Sequence, residues 1–476
     1  MTESQAPDAT QDQLAVRLLA IAVVLLIVVQ ILAQGYMPVD DALRHAGKGV
    51  SGRPWGEILV ARPGLVDFSP GWHAFLGAVH RLTGANAHTL VWIEVVTGFM
   101  LISLPPLLLM RRPEAWLLAM TIGGVLAQQL VTRWVIGRPL LVSMAILVFM
   151  CLRWRRLDTE RLSRPAWIAA ALLVAAATWI HGSWYLWALP VAACVLARQF
   201  RVAIRFALAS VAGVVFGALL TGHPVDFLWQ NIALGLNLGG GAISAWVYEM
   251  QAYPFVPMLL IAVAAMVVIR KVWLDTPAAT LARDPVFVLG AMACLLGFRS
   301  ARFWMDWGMP AFVVFIALEI EALLIARTAE RQRLLIAAGI ALASFLTWTG
   351  NVNQRWVPRL ERAFATIVMT RPAALPDSGG VLYTDDRRVF YEIFYLQPQA
   401  PWRYTLGFAP ELMPPEDYAV YVNRQSTGTI ESLEPWARKM KPEDRLLIRD
   451  PRGIALWNWM EWEQVEGGFY SGRRKR

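Results

Sequence analysis

Two adjacent carboxylates, Asp40 and Asp41, follow the first long apolar segment and precede Arg44 and His45. Neighbouring carboxylates at a membrane boundary are costly to desolvate and need a partner. Arg44 and His45 lie one helical turn further on, where they can supply it. A carboxylate in this position can take the proton from an acceptor hydroxyl as a general base. The alternative is a helix N-cap, which explains one Asp and not two.

Arginines at the outer ends of later apolar segments are the second candidate feature. Arg133 and Arg138 flank one turn, and Arg299 and Arg302 flank another. Because positive charge normally concentrates in cytoplasmic loops, each of these outer arginines needs a reason. Arg can grip a lipid phosphate through two hydrogen bonds, whereas the alternative is that these side chains extend to lipid headgroups. Asp306, one turn past Arg302, is its expected partner.

Three further features carry both a chemical and a plain interpretation. His181 stands at an outer boundary between two apolar segments, either as a hydrogen-bonded boundary residue or as a substrate ligand. The Trp-rich run 457–462 fits a strand that packs its Trp side chains better than a surface for sugar stacking. Asp385 and Asp386 indicate a turn at a strand end. The three cysteines lie in or beside apolar segments, which predicts neither a disulfide framework nor a Cys-type zinc site.

The composition shows which elements must position these residues. The chain is 57% hydrophobic and 17% charged, against about 45–50% and about 25% for soluble domains, so the excess apolar surface needs a bilayer. Runs of about 20 apolar residues predict about eleven membrane helices. They lie near 14–36, 88–110, 115–133, 138–153, 166–181, 183–198, 204–221, 255–270, 285–298, 303–325 and 334–350.

The basic residues predict the orientation of these helices. Runs such as 111–112, 153–164, 198–205 and 327–333 fall at alternate loops, which should be cytoplasmic. The N-terminus is then cytoplasmic, and an odd number of spans places the C-terminus outside. The net charge of +9 lies mostly in these short runs, so it indicates topology and not a nucleic-acid partner. We expect a multi-pass protein of the bacterial inner membrane.

Two parts of the chain follow from this map. Residues 1–350 form a transmembrane module whose first outer loop, 37–87, carries the acidic pair, and residues 351–476 form a periplasmic α/β domain. Within that domain, 380–383 and 418–422 are typical of strands. In the first loop, the amphipathic stretch 55–60 predicts a segment that lies along the membrane surface.

The acidic pair in the first outer loop, followed by Arg44 and an imidazole, resembles the GT-C glycosyltransferases. These are polytopic enzymes that use polyprenyl-phosphate-linked sugars, and the aminoarabinose transferases of lipid A and the protein O-mannosyltransferases are similar members. The run 67–73 resembles the Pro-rich turn that ends the same loop in that family. In two places the pattern differs: Arg44 comes one residue later than in the aminoarabinose transferases, and Ser69 replaces the Lys before their Pro-Pro turn.

The resemblance implies a helical GT-C membrane module with a soluble domain, and an enzyme. Asp40 corresponds to the family's catalytic carboxylate, with Asp41 beside it. Substrate binding is expected from a wider set of side chains, which comprises Arg44, His45, Arg138, His181, Arg299 and Arg302. No cofactor is firmly predicted. Some relatives use a divalent cation, but no ligand spacing here indicates one.

The predicted reaction is inverting transfer of a sugar from a polyprenyl-phosphate donor to an acceptor hydroxyl at the outer membrane face. The sugar is left open, as is the choice of a lipid, glycan or protein acceptor. One alternative is an O-antigen-type glycan polymerase or ligase, which would use the outer arginines and no catalytic Asp. A transporter is a weaker alternative, because the polar residues crowd at one face and not at the membrane midplane.

Overall fold

The computed structural model describes most of the chain. The described residues are 9–38, 40–156, 163–240, 248–254, 256, 263–264, 267–268, 270, 278–327, 330–350, 355–358, 360–449 and 457–475.

In the first 350 residues, the regular secondary structure of the described part is helical. Their helices are α1 (Ala9–Ala33), α2 (Asp41–Ser51), α3 (Trp55–Ile58), α4 (Pro70–Thr83), α5 (Ala87–Leu109), α6 (Pro113–Leu126), α7 (Gln128–Trp134), α8 (Leu140–Arg156), α9 (Arg164–Ile180), α10 (Ala188–Leu196), α11 (Phe200–Leu219), α12 (Pro224–Gly240), α13 (Pro285–Leu296), α14 (Met309–Arg327) and α15 (Glu330–Thr349). A short helical turn, Ala301–Phe303, and a π-helical turn, Trp304–Gly308, lead directly into α14.

Among the described residues, five helical stretches are long and apolar enough to cross a membrane: Asp12–Ala33, Ala87–Leu109, Phe200–Leu219, Ala301–Ala326 and Gln332–Thr349. Further apolar helices of 10–17 residues overlap other predicted spans. The predicted span 255–270 falls largely outside the described residues, so the total of about eleven stays a prediction. The predicted span 115–133 is broken at Ala127 into α6 and α7.

Small residues set the closest helix contact in this part of the chain. A Cβ added to Gly213 or Gly217 of α11 would come within 2.5 Å of a backbone oxygen of α9. Glycine therefore lets the two backbones approach closely. Such close packing is common between membrane helices, because the hydrophobic effect does not hold helices together in lipid.

The C-terminal region adds an α/β domain with a five-stranded sheet. Its strands are β1 (Val381–Tyr383), β2 (Arg403–Tyr404), β3 (Arg445–Arg449), β4 (Met460–Gln464) and β5 (Phe469–Arg474), in the order β2-β1-β3-β5-β4. The pairs β1–β2 and β1–β3 are parallel, and β3–β5 and β4–β5 are antiparallel. Its helices are α16 (Arg362–Thr370), α17 (Arg387–Leu396), α18 (Pro415–Thr427) and α19 (Glu434–Lys439).

The predicted strands of this domain fare differently. The strand at 380–383 is confirmed as β1, whereas the strand at 418–422 is wrong because these residues lie in α18. Pro415 occupies the first turn of α18, and Gly428 ends it in a left-handed conformation, a pairing typical of helix boundaries. The Trp-rich run enters β4, with the rings of Trp457 and Trp459 stacked at 5.7 Å.

The chain divides into two compact units. The helical unit comprises Met1–Tyr36, Val95–Ile232 and Leu238–Val357, and the mixed unit comprises Met37–Glu94, Ala233–Asn237 and Pro358–Arg476. The first outer loop therefore folds together with the C-terminal domain. The predicted boundary near residue 350 stays a prediction.

Within the mixed unit, backbone contacts tie the first loop to the C-terminal domain. Leu59 forms a bridge with Tyr404, and the Arg62 N–H donates to the carbonyl of Leu412 (2.9 Å). Trp55 is 3% exposed and lies against the rings of Phe394 and Phe408. The expectation that 55–60 lies on the membrane surface is therefore wrong for Trp55, because C-terminal aromatic rings bury its indole.

Candidate active site

The acidic pair stands at the start of α2. Asp41 is the first helical residue, and Asp40 occupies the N-cap position. The Asp40 carbonyl accepts a hydrogen bond from the Leu43 N–H (2.9 Å), but its carboxylate forms no capping hydrogen bond. The capping interpretation therefore does not account for the Asp40 side chain, which is half-buried.

Arg44 neutralises Asp41, as the spacing predicts. Its Nε lies 2.7 Å from Asp41 Oδ1, and its guanidinium sits 4.4 Å from the centre of the Phe408 ring. The side chain is only 12% exposed. Contact with the ring face adds a cation–π attraction and limits the positions that the guanidinium can take.

His45 belongs to a buried hydrogen-bonded chain that sequence reasoning did not find. His45 Nδ1 lies 2.7 Å from His73 Nε2, and His73 Nδ1 lies 2.6 Å from Asp67 Oδ2. Because an ionised carboxylate only accepts, His73 donates from Nδ1, and its Nε2 is left to accept from His45. The chain connects α2 to α4 directly behind the acidic pair.

Burial and hydrogen bonding set the charges in this chain. Burial lowers the pKa of His73 despite the opposing effect of Asp67, so its imidazole is neutral near pH 7. Burial alone would raise the pKa of Asp67, but His73, the Ser69 N–H and the Lys48 ammonium hold it well below its usual range. The Asp67–His73 pair is therefore an ionised carboxylate facing a neutral ring.

The C-terminal domain contributes Tyr391 of α17 to the surroundings of the acidic pair. Burial raises the pKa of its hydroxyl, and the negative charge of Asp41 raises it further. The phenol therefore stays protonated and can act as a neutral hydrogen-bond donor near the carboxylates.

Glu94 is a second residue that the sequence analysis missed. It lies on α5 with no exposed surface, and the charges acting on it include Arg44, Asp41 and Asp40. A charge at such a position is costly unless it is neutralised. The signal was present in the sequence, as a single acidic residue inside an otherwise apolar span.

The helical unit holds a separate cluster of charged residues. Asp306 accepts from Arg133 Nη2 at 2.6 Å and from Arg302 Nε at 3.2 Å, so its predicted pairing with Arg302 is confirmed. Glu249 accepts from Arg133 Nη1 at 2.5 Å and from Arg138 Nη1 at 2.7 Å. The sequence analysis named neither Glu249 nor its link to Arg138.

The arginines of this cluster differ in exposure. The Arg133 side chain is 5% exposed, whereas Arg138 and Arg302 are 16% and 25% exposed. Burial alone would raise the pKa of the Glu249 carboxyl, but Arg133 and Arg138 outweigh it and hold the pKa well below its usual range. The cluster therefore brings three guanidinium groups together with the ionised carboxylate of Glu249 and the side chain of Asp306.

The remaining candidates lie at helix ends of the helical unit. Arg299 is exposed just after α13, where its N–H donates to the carbonyl of Leu296 (2.9 Å). His181 ends α9, and its Nδ1 lies 2.7 Å from Ser183 Oγ. This contact matches the boundary interpretation of His181; its role in substrate binding stays a prediction.

In the part of the chain that the structure describes, no group of three or more His, Cys, Asp or Glu is arranged to hold a metal ion. The nitrogens of His45 and His73 face each other across a hydrogen bond and do not converge on a common point. We assign no step to a divalent cation.

Comparison with known proteins identifies the fold. No protein-family model matches the sequence, and no curated protein matches it. Among solved structures, the chain is similar to the crystal structure of ArnT from Cupriavidus metallidurans in the apo state, with a TM-score of 0.56 and 13% identity. The match covers 96% of this chain and 97% of that chain. The chain has the ArnT fold.

The likeness to ArnT extends over both the membrane helices and the C-terminal domain. It confirms the predicted fold class, a helical module with a small C-terminal sheet domain. At 13% identity it establishes the fold, so the roles of individual residues are argued from the geometry described above.

Proposed function

We propose that this chain is an inverting glycosyltransferase of the outer face of the bacterial inner membrane. It moves a sugar from a polyprenyl-phosphate donor to a hydroxyl of a lipid, glycan or protein acceptor. The ArnT fold over 96% of the chain supports the general class of reaction. The observation that carries the mechanism is the position of Asp40, which occupies the N-cap of α2 directly before Asp41.

In this mechanism Asp40 is the general base. Its carboxylate takes the proton of the acceptor hydroxyl while that oxygen attacks the anomeric carbon and the bond to the phosphate oxygen breaks. Asp41 is a weaker candidate for the base, because Arg44 already holds its carboxylate at 2.7 Å. Arg44 also offsets one of the two negative charges, which lowers the repulsion between the carboxylates.

The leaving group is a polyprenyl phosphate, on which negative charge grows as the bond breaks. Arginines that are already in place stabilise this charge more in the transition state than in the bound donor. Arg138 and Arg302 are the proposed ligands, because both guanidinium groups keep some exposure. Arg44, His45, His181 and Arg299 remain proposed substrate-binding residues.

The decisive experiment compares wild type, Asp40→Asn and Asp41→Asn in membranes supplied with a panel of radiolabelled polyprenyl-phosphate sugars. We expect Asp40→Asn to lose about 100-fold or more of the transfer rate, the range for a general base. Asp41→Asn serves as the matched control and should lose less. The donor that supports transfer identifies the sugar.

Expression and melting temperature must be equal among the three proteins for this comparison. Full activity of Asp40→Asn would contradict the general-base assignment. Absence of transfer by wild type with every donor of the panel would contradict the proposed reaction.

A further inference from the structure

The carboxylate of Glu249 occupies a position where guanidinium groups converge. Arg133 and Arg138 both donate to the same oxygen, Oε1, at 2.5 and 2.7 Å. The charge of Arg302 also acts on this carboxylate. An oxygen of a phosphate group would take the same hydrogen bonds, because arginine binds carboxylate and phosphate oxygens with the same geometry.

The two carboxylates of the cluster are held differently. Asp306 has no side-chain exposure, lies within the π-helical turn and accepts from two nitrogens of Arg133. Glu249 is 21% exposed and lies outside the long helices. Asp306 is therefore a fixed counter-ion, whereas Glu249 can exchange with a ligand.

Two hydrogen bonds anchor the backbone around Glu249. Ser300 Oγ donates to the Glu249 carbonyl (3.0 Å), and the Ala301 N–H donates to the Gln251 carbonyl (2.7 Å). The exchange therefore requires rotation of the Glu249 side chain about this anchored backbone. Such rotamer changes at partly exposed residues are fast.

The charge of the cluster supports an exchange of anions. With Glu249 in place, three guanidinium groups face two carboxylates, and with Glu249 withdrawn they face one. Withdrawal of the Glu249 carboxylate therefore raises the positive charge of the cluster by one. A phosphate monoester carries about −1.5 to −2 near pH 7, so the leaving group of a phosphodiester donor can replace the negative charge that Glu249 withdraws.

We propose that Arg133, Arg138 and Arg302 form the binding site for the phosphate of a lipid-linked donor, and that Glu249 occupies this site until the phosphate displaces it. The inference rests on the proposed function and adds a residue that competes with the donor. Glu249 thereby sets the affinity for the phosphate and keeps the arginines paired between turnovers.

The test measures binding of farnesyl phosphate to the purified full-length protein in detergent, without any sugar transfer. We expect Glu249→Gln to bind farnesyl phosphate about 10-fold more tightly than wild type, because the competing charge is gone. Arg138→Gln should bind it more weakly. Asp306→Asn removes the same charge from the same cluster and is the matched control; because Asp306 does not occupy the proposed phosphate position, it should lower the melting temperature and tighten binding less than Glu249→Gln does.

Two further arms distinguish the sources of phosphate. Inorganic phosphate should bind more weakly than farnesyl phosphate to wild type and to Glu249→Gln, because it lacks the lipid tail, and nanodiscs containing phosphatidylglycerol should show no comparable gain in Glu249→Gln. A gain seen with phosphatidylglycerol and not with farnesyl phosphate would overturn the assignment to the donor. Binding of inorganic phosphate as tight as that of farnesyl phosphate would overturn a site specific for a lipid-linked group.

Glu249→Asp provides a second variant, because it keeps the charge and shortens the reach of the carboxylate. We expect it to tighten binding as well, by less than Glu249→Gln. Unchanged or weaker binding of farnesyl phosphate in both folded variants would show that Glu249 is only a structural counter-ion. This result would not contradict the proposed transfer reaction. Conversely, absence of transfer by wild type would not contradict the binding result.

Discussion

At the scale of single residues, the hydrogen-bonded chain of Asp67, His73 and His45 makes stability depend on pH. Burial lowers the pKa of His73 below its ordinary value of 6.5. As the pH falls through 6.5, His73 therefore takes up a proton in the unfolded chain but stays neutral in the folded chain. The contribution of His73 to the free energy of unfolding is therefore fully present above pH 6.5, and it is lost as the pH drops below 6.5. Asp67, whose pKa is also lowered, contributes in the same direction at lower pH.

We expect the melting temperature of wild type in detergent to fall between pH 7 and pH 5, and to fall less in His73→Gln. Lys48 and Arg44 also act on His73 and are present in both proteins, so they do not create the difference. Equal slopes for the two proteins would contradict the assignment of the proton uptake to His73.

Individual contacts could be predicted where the partners are close in sequence. Arg44 pairs with Asp41 at a spacing of three, and Arg302 pairs with Asp306 at a spacing of four. The contact between Arg133 and Glu249 joins residues 116 positions apart, and no local pattern indicates it. Helical spacing predicts only neighbours on one helix face. The cluster around Glu249 could therefore be identified only from the folded structure.

At the scale of elements, two glycines let α2 pack between α4 and α17. A Cβ added to Gly49 would meet the Leu76 Cβ at 2.8 Å, and one added to Gly47 would meet the Phe394 ring at 3.0 Å. We expect Gly49→Ala to cost about 1–3 kcal/mol of stability, as overpacking does, and to lower transfer by displacing the acidic pair. Thermal unfolding and transfer assays check both effects.

Gly56→Ala is the matched control, because a Cβ there meets no atom within 4 Å. It should leave both the melting temperature and the transfer rate close to wild type. If Gly49→Ala behaves like Gly56→Ala, then the close packing of α2 against α4 does not position the carboxylates.

The type of an element was predicted correctly where one sequence pattern dominated, and wrongly where two patterns competed. Residues 418–422 form a run rich in Val and Tyr, as a strand does, but Pro415 and Gly428 bound a helix, and the structure forms that helix. Trp55 belongs to an amphipathic stretch of the kind that lies on membrane surfaces. Its burial depends on aromatic rings more than 330 residues away in the chain. Amphipathic patterns do not identify the apolar surface that covers them.

At the scale of the whole molecule, the charge pattern makes a prediction about the orientation of the fold. The fold covers 96% of the chain, and the basic runs predict a cytoplasmic N-terminus with the C-terminal domain outside. Overall fold class was predictable because hydropathy and loop charge are summed over the whole chain. The number of spans was not, because several apolar helices are shorter than a bilayer requires.

The three native cysteines are buried, so they should react little with a maleimide. Cysteines added at exposed positions can therefore report the orientation of the chain. Ser378 is exposed in the C-terminal domain, and Arg111 is exposed in a loop predicted to be cytoplasmic. We expect a membrane-impermeant maleimide to label Ser378→Cys in intact spheroplasts, and Arg111→Cys only after permeabilisation. The reverse pattern would place Asp40 on the cytoplasmic side, where the proposed reaction at the outer face could not occur. Labelling therefore tests the site and the topology together, since Asp40 and Ser378 belong to the same compact unit.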